Sequence, residues 1–300
     1  MDGILPLWKP AGMTSHDCVM KVRRIFKTRK VGHTGTLDPE VEGVLPICIG
    51  QATKIVPFLM DTKKTYIAEL QLGVATETED RYGKVVEQAQ VDEFPSIKEI
   101  DDVLRSFLGT SIQIPPMYSA VKVKGKRLYE YARANEEVDR PQRKIHIYSM
   151  ERLAIHEVEQ TIRFKVTCSR GTYIRTLCVD IGKKLGFPAH MSFLERIQTG
   201  SIAKDDTVTF AMLEQVTDEK ELQNFLLPMV SGVDHLAKIE VDDEWKQKIL
   251  YGQKLPRPNE LPETNPFLFV QKDTLLAIYQ LHGKNHQEIK PVRVFHPEEK

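Results

Sequence analysis

The run Gly32-His33-Thr34-Gly35-Thr36-Leu37-Asp38-Pro39 holds the residues of this 300-residue chain best spaced to do chemistry. Gly32 and Gly35 permit backbone conformations and close approaches that larger residues forbid. Pro39 fixes the chain immediately after Asp38. An aspartate is ionised at neutral pH, so a carboxylate positioned on such a loop can serve as a nucleophile. The same residue types also suit a plain turn or a helix cap. The run lacks the GK[ST] ending of a Walker A loop and the GxGxxG spacing of a dinucleotide site, so neither ATP nor NAD is expected. The nine histidines show no HExxH or other ligand spacing, and Cys18, Cys48, Cys168 and Cys178 form no CxxC pair. We therefore expect no metal, no cofactor and no disulfide framework, with the cysteines as buried thiols.

The elements that must position Asp38 can be read on either side of it. Residues 3–8 have the composition of a short strand, and Lys9-Pro10-Ala11-Gly12 turns the chain. Thr14 or Ser15 can cap a helix running to about Phe26, with Asp17 in its first turn and Val19, Val22, Ile25 and Phe26 facing inward. Residues 32–43 have no periodicity and read as a loop. After the apolar run 44–50, residues 64–73 alternate as a half-buried strand. Ser96 and Glu99 form a capping box for a helix over 97–108 that Gly109 ends. Strands are expected at 111–123, 143–154 and 161–169, and a helix at 172–185 closed by Gly186. Two acid-rich helices are expected over about 207–226. A turn-rich stretch at 251–265 then leads to strands at FLFVQ, LLAIYQL and IKPVRVF, a small β unit beginning near residue 237.

Three hundred residues suit two domains at a prior of about 150 residues each. At 41% hydrophobic and 28% charged residues the composition is that of a soluble globular protein. The first twelve residues carry Asp2, Pro6 and Pro10 and no apolar core, so they are not a secretory signal. No uninterrupted apolar window approaches the roughly 18 residues a membrane span requires. These features read as cytoplasmic. The formal net charge is zero, but residues 21–30 hold six basic residues and no acid. Lys122, Lys124, Lys126 and Arg127 make a second cluster, and acids gather at 77–80, 213–224 and 240–244. Local basic patches on a neutral chain suit one polyanion on one face.

The Gly32–Pro39 run, with Gly43 and Leu45 after it, resembles the signature of the TruB family of bacterial tRNA pseudouridine-55 synthases. Further blocks resemble that family in the same order. They are Gly3-Ile4-Leu5 with Lys9-Pro10-Ala11-Gly12 and Ser15; Lys64-Thr65-Tyr66 with Gly73, Thr76, Thr78, Asp80 and Gly83; Pro115 to Lys122 with Gly125 and Arg127-Leu128-Tyr129; and Cys168 to Leu177. Together they cover roughly residues 3–200. Val41 stands where the family usually has Ala, a small packing change. Glu195 and Ile197 stand where Arg and Thr are common, and Glu195 removes a positive charge near the expected RNA face.

The resemblance implies an α+β fold: a mixed, mainly antiparallel sheet with flanking helices over 1–236, and a small PUA-like β-barrel over 237–300. It implies that Asp38 attacks a uridine at position 55 in the tRNA T-loop, at uracil C6 or ribose C1′, which no residue here decides. Tyr66 would stack on the base and take part in proton chemistry, and Arg175 would pair with Asp38. His33 would contact the RNA where the base leaves, and Leu194 would line the uracil pocket. Lys9, Lys64 and Tyr173 are further expected substrate contacts. Arg24, Lys30, Lys122 and Arg127 would meet phosphates, offsetting the few kcal/mol that flipping a stacked base costs. The implied enzyme is a cytoplasmic monomer acting without guide RNA or obligate protein partner, and it could also assist tRNA folding. Three other readings compete. A non-catalytic RNA-binding protein would not need Asp38, Tyr66 and Arg175 together. A base-exchanging transglycosylase would show a Cys/His zinc cluster. A guide-dependent relative would work inside a ribonucleoprotein, which the compact length disfavours.

Overall fold

Alternating burial along Lys64–Leu72 marks the central strand of a sheet with one face on a core. In the computed structural model, which describes residues 1–258, 260 and 262–296, this strand belongs to one of two compact units. One unit comprises Lys63–Thr199 with Val41–Gly43; the other comprises Met1–Glu40, Val44–Thr62 and the chain from Gly200 onward.

In the unit built on Lys63–Thr199, the strands Ala189–Thr199, Lys64–Leu72, Thr161–Cys168, Arg143–His156 and Gly109–Gln113 lie side by side in that order, each antiparallel to the next. The start of Glu42–Ile49 adds a parallel pairing, Glu42 with Glu195 and Gly43 with Arg196, so the sheet is mixed. Gly43 is required there. Its φ is +136°, and a Cβ would sit 2.3 Å from the Arg196 carbonyl oxygen. Ala68, Leu70, Ile145, Ile147, Ile162, Phe164 and Val166 form the core face. Two amphipathic helices cover it, Ile97–Arg105 and Ile174–Leu185. Ser96 and Glu99 make the reciprocal cap expected for the first, with Glu99 accepting from the Ser96 N–H at 2.8 Å. Gly186, at φ +88°, closes the second.

In the other unit Glu42–Ile49 lies in a sheet between Gly3–Lys9 and Val31–His33, and the helix Ser15–Ile25 packs against these strands. Thr14 caps that helix in a capping box with Asp17, and Cys18, Val19 and Val22 pack against Leu5, Leu7, Leu45 and Ile47. The same unit contains a five-stranded sheet in the order Lys238–Glu240, Phe267–Gln271, Thr274–Leu281, Glu288–Val294, Leu255–Pro256. Phe267, Phe269, Tyr279 and Ile289 are buried in it, with the Phe269 and Tyr279 rings edge to face at 5.0 Å. This is the expected PUA-like β unit.

Three local expectations need correction. Residues 111–123 are not one strand: Gly109–Gln113 pairs in the sheet, and Lys122–Val123 pairs with Lys126–Arg127 in a separate hairpin. Pro115 and Pro116 supply no N–H for a ladder between them. Gly32 and His33 leave the loop to pair with Cys48 and Ile47. The acid-rich stretch forms the five-residue helix Phe210–Glu214 and a 3-10 turn, Glu219–Phe225, not two full helices. No helix among the described residues is long and apolar enough to cross a membrane.

Candidate active site

Asp38 is half-buried in the segment between Val31–His33 and Glu42–Ile49, and both its chain neighbours are pinned. On one side, the Leu37 N–H donates to Ser15 Oγ at 2.9 Å, and the Ser15 hydroxyl returns a bond to the Leu37 carbonyl at 3.3 Å. The Leu37 side chain is itself buried at 4% exposure. On the other side, the Pro39 carbonyl accepts from Lys9 Nζ at 2.8 Å and from the Gly12 N–H at 3.0 Å. Thr34 ties the start of the segment to the Pro46 carbonyl through its N–H at 3.2 Å and its hydroxyl at 3.3 Å. The backbone on both sides of Asp38 is therefore fixed, which restricts where its carboxylate can reach.

Tyr66 and Arg175 belong to the unit built on Lys63–Thr199. Tyr66 is half-buried on its strand, in register with Val166 on one side and Arg196 on the other, and packs against the core. Arg175, 6% exposed, opens the helix Ile174–Leu185. Its Nη1 donates to the Thr78 carbonyl at 2.8 Å and its Nη2 to the Tyr118 carbonyl at 2.9 Å, while the Asp80 carboxylate lies 3.8 Å from Nη1. Tyr173, the residue before the helix, exchanges two bonds with the buried Gln113 amide: its N–H donates at 2.8 Å and its carbonyl accepts at 3.0 Å. Leu194 is half-buried against the same core and sits opposite Ala68.

The expected RNA contacts divide by exposure. Arg24, Lys30, Lys122 and Arg127 are exposed, as phosphate contacts must be. Other cations of the basic helix are matched by the acid-rich stretch, Lys21 by Glu214 at 2.7 Å and Lys27 by Glu219. His33 is half-buried, its Nδ1 accepting from the Gly35 N–H at 3.3 Å. Lys9 and Lys64 do not fit a surface role. Lys9 has no exposure and donates to Pro10 and Pro39 carbonyls, and Lys64 is 6% exposed on its strand. Lys9 braces the Asp38 segment instead. Arg196, 1% exposed and opposite Tyr66, escaped sequence reasoning as a candidate; its only signal was a charged residue inside a strand pattern.

Burial pushes the Cys48 thiol up to about 12 and Cys168 up to about 11, and raises Cys178 further, so these thiols stay protonated and inert at neutral pH. No cluster of His, Cys, Asp or Glu suited to a metal ion occurs among the described residues.

The mixed sheet covered by two helices is the pseudouridine synthase fold, and the same chain also carries a PUA-like β sheet. The crystal structure of a Cbf5-Nop10-Gar1 complex contains a similar chain, at TM-score 0.75 and 28% identity over 98% of this chain and 85% of that one. A structure of an H/ACA RNP bound to a substrate RNA containing 2′-deoxyuridine gives 0.73 and 25% over the same shares. Residues 23–174 match the family model of the TruB family pseudouridylate synthase N-terminal domain, and residues 175–234 match that of the tRNA pseudouridylate synthase B C-terminal domain. The protein belongs to the TruB family of pseudouridylate synthases. It is 58% identical to the tRNA pseudouridine synthase B of Oceanobacillus iheyensis, over all of this chain and 99% of that one. It is 48% identical to the protein of that name from Bacillus pumilus, over 98% and 97%.

Proposed function

We propose that this protein isomerises uridine 55 in the T-loop of tRNA to pseudouridine, acting in the cytoplasm as a monomer without guide RNA or protein partner. The observation that carries the reading is the double anchoring of the Asp38 segment, at Leu37 by Ser15 and at Pro39 by Lys9 and Gly12. The Asp38 carboxylate attacks the flipped nucleoside, at uracil C6 or ribose C1′. Either route breaks the N1 link, lets the base turn and rejoins it through C5, with the C5 proton lost to solvent. Tyr66 stacks on the base and handles protons. Arg175 pairs with the Asp38 carboxylate and orients it. Leu194 lines the uracil pocket, and His33 and Tyr173 meet the RNA. Residues 1–236 act as the catalytic domain and 237–300 as the RNA-binding domain. Exposed Arg24, Lys30, Lys122 and Arg127 take phosphates, and shape selects the folded stem-loop. The same binding assists tRNA folding.

The test uses an unmodified tRNA transcript tritiated at uridine C5, without added metal or nucleotide. The wild type should release tritium from one T-loop uridine, and Asp38→Asn should release none. Tight tRNA binding with no release by either would leave an RNA-binding protein.

A further inference from the structure

Glu79 combines three features that the roles above do not use. It is a non-glycine residue at φ +63°, a left-handed conformation that side-chain-bearing residues rarely adopt unless their surroundings impose it. Its carboxyl is largely withdrawn from water, and burial raises its pKa against the lowering effect of the Thr176 hydrogen bond and of Arg175. Its Oε2 accepts from the Thr176 hydroxyl at 2.6 Å. Thr176 follows Arg175 in the first turn of Ile174–Leu185. Glu79 itself lies between Thr78, whose carbonyl accepts from Arg175, and Asp80, whose carboxylate neighbours the same guanidinium.

Arg175 gives one N–H to the 77–82 turn, at Thr78, and one to a separate segment, at Tyr118. A guanidinium held by carbonyls on two segments is only as well placed as those segments are relative to its own helix. The turn is fixed to the strand Ala189–Thr199, where the Met191 N–H donates to the Glu79 carbonyl at 3.0 Å and the Arg81 N–H to the Met191 carbonyl at 3.0 Å. The side-chain bond from Thr176 to Glu79 supplies the matching tie to the helix. A carboxylate at a helix N-terminus is favoured by the dipole as well. Other charged groups facing Glu79 are Arg175 and Asp180 from the helix and Arg140 from the 114–142 segment.

We propose that Glu79 is a positioning residue for Arg175, locking the 77–82 turn to the arginine's helix through the Thr176 hydroxyl. This rests on the reading of Arg175 as an active-site residue. The left-handed backbone at position 79 then has a purpose: it aims the carboxylate at Thr176 while the adjoining carbonyl and carboxylate face Arg175.

The experiment measures tritium release from C5-labelled tRNA by the full chain, with Thr176→Val, Thr176→Ser and Glu79→Gln beside the wild type and Arg175→Lys. Thr176→Val should lower kcat about ten- to a hundredfold, the scale of a small misplacement of a catalytic group. Its KM and tRNA Kd should stay within about twofold, and Thr176→Ser should restore the rate. Glu79→Gln keeps an acceptor and should fall between. A folded Thr176→Val enzyme with wild-type kcat would overturn the proposal. So would a kcat loss that Thr176→Ser does not restore or that scales with lost thermal stability. If Thr176→Val does not fold, Glu79→Gln decides by the same split of kcat from KM. An inactive wild type, or an unimpaired Arg175→Lys, would instead remove the reading on which the proposal stands.

Discussion

The ammonium of Lys9, with no exposure to solvent, donates a 2.8 Å hydrogen bond to the carbonyl of Pro39, the residue that follows Asp38. The strand Gly3–Lys9 thereby carries the brace of a loop thirty positions further along the chain. Lys9→Met keeps the aliphatic bulk but deprives the Pro10 and Pro39 carbonyls of their charged donor. The Pro39 carbonyl keeps its Gly12 donor, so the cost is that of the lost hydrogen bonds from a charged group, about 1.5–3 kcal/mol. We expect a lower urea midpoint and a kcat reduced about tenfold or more, read by tritium release, with tRNA affinity nearly unchanged. A loss confined to affinity would return Lys9 to the RNA surface.

Ser15 braces the other neighbour of Asp38. Ser15→Ala removes the acceptor for the Leu37 N–H and should destabilise the fold by about 1–2 kcal/mol. Its kcat should fall more than its KM rises, because only the orientation of the carboxylate is disturbed. Equal kcat in the variant and the wild type would show that the Pro39 anchors suffice.

Glu79 sets a pH dependence of stability. Burial raises its folded pKa above the ordinary carboxylate value of 4.5, so folding favours the protonated form. The penalty is complete at neutral pH, diminishes as pH falls through the folded value, and vanishes below the unfolded value. Glu79→Gln should therefore unfold at a higher urea concentration than wild type at pH 7, with the gap closing toward pH 4. A gap that widens on acidification would mean the carboxylate is stabilised by its partners instead.

Exposed Arg24 and Lys30 are expected to meet phosphates. Replacing each by Gln should reduce the slope of log K against log salt for tRNA binding by about one per residue, without altering kcat. An unchanged slope would move the RNA path away from the basic helix.

The buried thiols give a simple control. With Cys48 pushed up to about 12 and Cys168 up to about 11, iodoacetamide at neutral pH should leave the folded enzyme unmodified and active. Rapid inactivation would reveal an accessible thiolate.

Local rules were enough to read the Ser96–Glu99 cap, the end of the helix at Gly186, the half-buried strand Lys64–Leu72 and the existence of the strand Thr161–Cys168. The placement of Asp38 on a constrained segment was legible because glycines and a proline surround it. The function of Lys9 was not, because Lys-Pro-Ala-Gly reads as a turn and its partner at Pro39 is distant in sequence. Arg196 was hidden because two-residue periodicity places a side chain on a face without saying what covers that face. The tie between Glu79 and Thr176 joins residues 97 apart, and no pattern within a single element encodes it. The strand expected across 111–123 failed at Pro115-Pro116, where missing donors outweighed β propensity.

The unit that carries Asp38 is assembled from separate stretches of chain: its first strand lies beside Glu42–Ile49 and also forms isolated bridges to residues made late, Ile4 to Leu227 and Leu7 to Val208. During synthesis, which runs from the N-terminus, Lys63–Thr199 is complete before those partners leave the ribosome. Released chains truncated after residue 207 should thus expose residues 3–9 to protease more than the full chain does while the Lys64–Leu72 strand is protected; equal protection of both would contradict this order. The brace from Lys9 to the aspartate's loop depends on that first strand. Translation therefore completes the surroundings of the strand that carries Lys9 only once residue 227 is available, although the brace itself joins residues made early.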